Sequence, residues 1–253
     1  MRPLVIALEG PSGAGKTTVA RGAGRTFGWE VLPEAYSRLV PTPSLAFAGT
    51  AELLTLEEAL LAEERRRYRR ALAARRQGRT VLADTGFFGP ITYTAGLVAL
   101  GLAPRRVLDR LMAAAGGTDG SGPVGVPDAV VYLDVPERVL RRRVASDPTG
   151  HPEALALRHL AVAQFERSLY LGGLRAALAG RVVVVPGSGA PAAVARRMEV
   201  AVRGLPLDGR RRGARERVLA EVRTAVATFG RERPRTSAAT VKKPARSARA
   251  PPR

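Results

Sequence analysis

Apolar residues recur along the chain in two rhythms, and their alternation outlines the architecture. Short, nearly continuous apolar runs at residues 4–8, 29–32, 80–84, 129–133 and 182–185 have the length of buried strands. Between them lie stretches of helical period. Residues 17–27 form one, and residues 51–76 a longer one with Leu53, Leu56, Leu60, Leu61, Tyr68 and Leu72 on its apolar side. Gly78 ends that helix. Residues 86–102 read as loop plus helix, residues 105–115 as a helix, and 116–127 as a Gly-rich connection. Pro136 suits the first position of a further helix, and residues 153–178 read as one continuous helix. Near the C-terminus Val218, Leu219, Val222, Val226 and Phe229 share one helical face, so a terminal helix is expected to dock on the domain. Strands this apolar, each followed by a helix, predict a parallel sheet covered on both faces. Ligands of such sheets bind beyond the carboxyl ends of the strands.

The first strand runs into Gly10-Pro11-Ser12-Gly13-Ala14-Gly15-Lys16-Thr17-Thr18, which fits G-x-x-x-x-G-K-[ST], the phosphate-binding loop of nucleoside triphosphate enzymes. Strand, glycine loop and helix is the order that chemistry requires. Backbone N–H groups of Gly10, Ser12, Gly13, Ala14, Gly15, Lys16, Thr17 and Thr18 are expected to cradle the phosphates of ATP, helped by the helix N-terminus. The Thr17 hydroxyl would ligate Mg²⁺. The fold class predicted is therefore α/β: a three-layer P-loop NTPase fold with a five-stranded parallel sheet and helices on both faces.

Composition sharpens the role of Lys16. Of 41 basic residues only Lys16, Lys242 and Lys243 are lysines, so Lys16 stands alone in the first 241 residues. A flexible point charge is needed between the β- and γ-phosphates, where a planar guanidinium is no substitute. The chain has no cysteine and two histidines, His151 and His159, which excludes disulfides, thiolate metal sites and a His-built metal site. No run reaches membrane-span length, so a cytoplasmic protein without membrane contact is expected. Net charge is +19, concentrated in residues 203–253, which hold 15 Arg or Lys against 4 Asp or Glu. Three divisions follow: a kinase domain over 1–204 with a lid at about 141–158, a helical appendage over 205–230, and a basic disordered tail over 231–253. With no aromatic residue in the tail, its charge supports only weak, non-specific, salt-dependent contact with polyanions.

Three strands end near a carboxylate: Glu34 after the second, Asp84 at the end of the third and Asp134 at the end of the fourth. Glu34 suits a general base on an acceptor hydroxyl, and Asp84 a Mg²⁺ ligand. Asp134 is better placed to cap the helix after Pro136.

These motifs, taken in order, resemble the thymidylate kinases and related nucleoside kinases. The likeness lies in residues 8–18, in Ala51-Glu52-Leu53-Leu54 and Ala62-Glu63-Glu64-Arg65, in residues 80–84, in Ile91-Thr92-Tyr93, and in Tyr132-Leu133-Asp134-Val135-Pro136-Glu137 followed by Arg141-Arg142-Arg143. It implies an ATP- and Mg²⁺-dependent kinase, substrate contacts from Arg65 and Tyr93, transition-state arginines in the lid (Arg141 and Arg142), and a homodimer. Three positions depart from thymidylate kinases. Thr85 replaces the Arg after the third-strand Asp, Thr94 replaces a base-reading Gln, and Glu34-Ala35-Tyr36 resembles the nucleoside-kinase Glu instead of Glu-Pro-Gly-Gly-Thr. Arg66, Arg67, Arg69 and Arg70 read as a solvated helix face. The expected activity is transfer of the ATP γ-phosphate to a nucleotide, a nucleoside or another small acceptor; the alternative is a P-loop ATPase acting as a switch.

Overall fold

In the computed structural model, residues 2–39, 49–120, 122–146, 153–205 and 213–232 are described. Five strands, β1 (Val5–Glu9), β2 (Glu30–Leu32), β3 (Val81–Asp84), β4 (Ala129–Asp134) and β5 (Val182–Pro186), form one sheet in the order β2-β3-β1-β4-β5. Every pairing is parallel, as the apolar runs require. β1 is central. Its even-numbered side chains, Ile6 and Leu8, face α1 (Lys16–Phe27), α6 (Glu137–Ala145) and α9 (Pro191–Arg203). Val5 and Ala7 face the other way, toward α3 (Thr50–Arg76), α4 (Gly89–Ala99), α5 (Arg105–Gly116), α7 (Glu153–Leu171) and α8 (Gly173–Ala177). Two-residue alternation thus puts Glu9 on that second face, at the strand's carboxyl end. Each fully buried aliphatic side chain in these layers stabilises the fold by about 1.5–3 kcal/mol.

The terminal helix α10 (Ala214–Glu232) lays Val218 and Val222 into the second layer, and Phe229 meets Phe165 edge-on at 5.3 Å between ring centroids. No described helix is long and apolar enough to cross a membrane.

Four local readings change. Residues 153–178 are two helices, because Gly172 takes φ −99° and ψ −101° between α7 and α8. The helix after β4 begins at Glu137, with the Pro136 carbonyl receiving the N–H of Val139 at 2.8 Å. Asp134 does not cap it; its two oxygens take the Arg167 fork at 2.8 and 2.9 Å. Two helices fall outside the sequence reading: α2 (Ala35–Leu39) and α9, whose Val194, Met198 and Val202 line its buried face. The expected lid tip at 147–152, including His151, and the basic tail beyond 232 lie outside the described residues.

Candidate active site

At the carboxyl end of β1 the chain must reverse into α1 without side chains in the way. Gly10, Gly13 and Gly15 take φ of +143°, +77° and +88°, and a Cβ at Gly10 would lie 3.0 Å from the Leu133 carbonyl. Gly15 caps α1 in the left-handed conformation with no side-chain hydrogen bond, which leaves the first N–H groups of the helix open to an anion. Ser12, Thr17 and Thr18 are exposed on this rim, and Ala14 is tucked beneath it, its N–H on the Pro11 carbonyl at 3.0 Å. Lys16 Nζ curls back and donates to the carbonyls of Gly10 (2.8 Å) and Pro11 (3.2 Å).

β3 ends beside the loop, with Leu8 opposite Asp84. The Thr17 hydroxyl bonds the Asp84 carboxyl, whose Oδ1 is buried without a partner. Burial raises the Asp84 pKa, while Thr17 and Lys16 pull it down. A buried acid with one open oxygen beside a Thr hydroxyl fits a hard cation that keeps most of its ligands from phosphate and water. Among the described residues there is no cluster of three or more acidic, His or Cys side chains that could hold a metal by itself.

The next residue, Thr85, sits at φ +63°, a costly conformation for a β-branched residue. Its hydroxyl donates to Glu34 Oε1 at 2.9 Å, so the strained turn fixes the carboxylate that follows β2. Arg67, almost wholly buried on α3, holds both strand ends together. One of its nitrogens donates to the carbonyls of Asp84 (2.8 Å), Thr85 (3.2 Å) and Leu32 (3.3 Å), while the other meets Glu64 at 2.5–2.6 Å.

Glu9 lies between these parts. It is buried beside Tyr170, accepts the Gly86 N–H, and burial pushes its pKa up to about 7 despite Lys16. A Cβ on Gly86 would lie 1.8 Å from its Oε1, so only glycine there leaves room for the acid. From the loop a cavity of about 480 Å³ extends between α2, α3, α4 and α7. Away from the loop it is walled by Leu53, Leu56 and Leu60, by Tyr36 and Tyr93, and by the acid Glu57, while Glu166 also lines it within the influence of Lys16 and Glu9. The Tyr93 hydroxyl is buried without a partner, and its ring lies 6.3 Å from that of His159.

A glycine loop, one ammonium, a Thr–Asp pair and a fixed glutamate surround one end of a cavity large enough for a second reactant, on a 2-3-1-4-5 parallel sheet. Solved structures share this fold. Deoxyadenosine kinase from M. mycoides with bound dATP superposes with a TM-score of 0.59 at 14% identity, over 79% of this chain and 100% of that one. The same enzyme with dCMP and a flexible dCDP gives 0.58 at 13%, over 79% and 98%. The fold is that of a P-loop kinase. A family profile described as an AAA domain matches residues 5–114, which span the loop, β2, β3 and most of α5. No curated protein matches the sequence.

Within this P-loop kinase fold, Lys16, Thr17, Glu34 and Tyr93 line one cavity, with Asp84 directly beneath. Arg65 does not join them. It is buried against α5, donating to the Ala114 carbonyl at 2.6 Å and facing Asp119 at 3.5 Å. On α6, Arg141 is exposed and paired with Glu137 at 2.5 Å, and Arg142 is exposed. It is Arg143 that reaches the phosphate loop, donating to the carbonyls of Gly13 (3.0 Å) and Ala14 (2.9 Å). Arg67 is no part of a solvated face, unlike Arg66, Arg69 and Arg70. Glu9 adds a fourth acid at or beside a strand end; its sequence signal is a carboxylate directly after the apolar run and just before Gly10. Glu57, Glu64 and Glu166 had no comparable signal, because helical acids ordinarily face water.

Proposed function

We propose that the protein is an ATP-dependent small-molecule kinase that phosphorylates a hydroxyl group, with an acceptor of roughly nucleoside size. The observation that carries this reading is the pairing of Glu34 with Thr85 at the mouth of a cavity that opens directly from the phosphate loop. The loop amides and Lys16 hold the β- and γ-phosphates, Lys16 leaving the Gly10 and Pro11 carbonyls for phosphate oxygens. Thr17 and Asp84 are the residues that would hold Mg²⁺, which when bound shares the phosphate charge. Glu34 takes the proton of the acceptor hydroxyl. The acceptor oxygen forms its bond to the γ-phosphorus as the bond from that phosphorus to the β-bridging oxygen breaks, and ADP leaves.

A nucleoside monophosphate is the weaker candidate. Among the described residues lining the cavity, Lys16 is the sole Lys or Arg, and it belongs to the ATP side. An acceptor phosphate would meet Glu34, Glu57 and Glu166 instead of a guanidinium. A panel of nucleosides, nucleoside monophosphates and small alcohols, incubated with ATP and Mg²⁺ and followed for ADP release and product mass, tests the reading. A phosphorylated hydroxyl product that disappears in Glu34→Gln is expected. Phosphorylation of a monophosphate with Glu34→Gln silent would overturn the hydroxyl assignment. Steady ADP release with no phosphorylated product would favour a hydrolytic switch.

A further inference from the structure

The far wall of the cavity contains an acid that nothing in the phosphoryl-transfer chemistry requires. Glu57 projects from α3 with 3% of its surface exposed, and its Oε2 is buried without a hydrogen-bond partner while lining the cavity. Burial alone shifts it, and the titratable groups that feel its charge are the phenols Tyr36 from α2 and Tyr93 from α4. Along the same wall stand Glu34 after β2, Glu64 on α3, and His159 and Glu166 on α7. Glu64 is already matched by Arg67, and Arg158 acts on Tyr93. No described cation answers Glu57. An unsatisfied buried carboxyl costs stability, and the cost is recovered when a ligand supplies the missing donor.

We propose that the acceptor is an amino alcohol with an apolar body, and that Glu57 receives its protonated amine. The inference rests on the kinase reading above and deepens it. Three surroundings favour an ammonium over a neutral donor. The wall bears several carboxyls and no free cation among the described residues, so an entering ammonium meets no like charge and can draw Glu57 into its carboxylate form. Tyr36 and Tyr93 line the same part of the cavity, where aromatic rings can attract a cation, and Leu53, Leu56 and Leu60 would cover the ligand's apolar part. The hydroxyl end then lies toward Glu34 and the phosphate loop.

Burial raises the pKa of Glu57 to about 8, so the empty site holds the acid form at neutral pH. An arriving ammonium favours the carboxylate, and the carboxyl proton passes to buffer. Binding is therefore accompanied by release of close to one proton per ligand at pH 7, falling toward none above pH 9.

Calorimetry without ATP, in buffers of different ionisation enthalpy, tests this on matched pairs: phenylalaninol against 3-phenylpropan-1-ol, glucosamine against glucose, and cytidine against uridine. The expected result is that at least one ammonium-bearing member binds tenfold or more tighter than its amine-free partner, with proton release at pH 7. Glu57→Gln is expected to abolish both the preference and the release. Equal binding within every pair overturns the proposal, as does a preference that survives in Glu57→Gln. So does tighter binding of cytidine without proton release, which would point to a neutral amino edge. ATP binding to the same preparations, lost only in Lys16→Ala, is scored separately. Failure of the amine preference with ATP binding intact thus rejects this inference and not the kinase reading, and ATP binding by Glu57→Gln confirms that the variant is folded.

Discussion

The two ends of the cavity are built on opposite plans. At the proposed phosphate end the backbone would perform the recognition: three glycines take positive φ, α1 presents an uncapped N-terminus, and Lys16 adds one charge within six residues of Gly10. At the proposed acceptor end side chains line the cavity instead, among them Glu34, Glu57, Tyr93 and Glu166, which span more than half the described chain. A backbone site tolerates few changes, because geometry is its chemistry. A side-chain site changes ligand by changing one residue, because each group contributes separately.

The largest effect should come from the phosphate end. Lys16→Ala is expected to reduce ATP turnover by three orders of magnitude or more, and Lys16→Arg nearly as much, with the far-UV circular dichroism unchanged. Near-normal turnover in the Arg variant would remove the distinction between the two cations. Glu34→Gln should lower kcat by about 10²–10⁴-fold with ATP affinity preserved, which rapid-quench measurement of product formation checks.

Between the two ends, Arg67 serves both, and its removal should act through the fold. Arg67→Met strands Glu64 in the core and frees three carbonyls, a loss of about 3–5 kcal/mol. Calorimetry should show a melting temperature lower by about 10 °C. An unchanged melting temperature would mean that the strand ends hold without the clamp.

Glu57 should behave in the opposite direction. Its folded pKa, about 8, lies above its ordinary value of 4.5. Below 4.5 both states are protonated and ionisation costs nothing. Between 4.5 and 8 the unfolded chain ionises while the folded one keeps its proton, so stability falls as pH rises, and above 8 the cost is constant. Glu57→Gln should therefore melt several degrees higher than the parent at pH 9 and at the same temperature at pH 4. A variant less stable at pH 9 would reveal an unnoticed partner for the carboxylate. The smallest change is expected from Arg141→Ala, because its pair with Glu137 is exposed. ATP turnover within twofold of the parent is expected there, and a larger fall in Arg143→Ala would assign the transition-state arginine to the residue touching the loop.

The same contrast explains what the sequence disclosed. The sheet was legible because buried parallel strands are uninterrupted apolar runs, and the loop because a backbone site demands glycines at fixed spacing. Glu34, Asp84 and Tyr93 were reachable as strand-end and motif residues. Arg65 and Arg67 were not, since both belong to one charged run in which only the packing of α5 and the strand ends tells buried from solvated. The arginine register on α6 slipped for a similar reason. Arg141, Arg142 and Arg143 are equivalent as letters, and the 100° rotation per residue decides which reaches Gly13. α9 carries ordinary helical periodicity with no chemical motif beside it.

The scarcity of lysine has a practical consequence. Acylating reagents for primary amines find one ε-amine in the first 241 residues, Lys16, and in the nucleotide-free site it is already held by two carbonyls. Under the proposed function, nucleotide would exchange those carbonyls for phosphate oxygens. Mass-spectrometric footprinting of the peptide containing Lys16, with Lys242 and Lys243 as internal standards for reagent strength, would read occupancy of the phosphate loop directly, with no catalytic assay and before any acceptor is known.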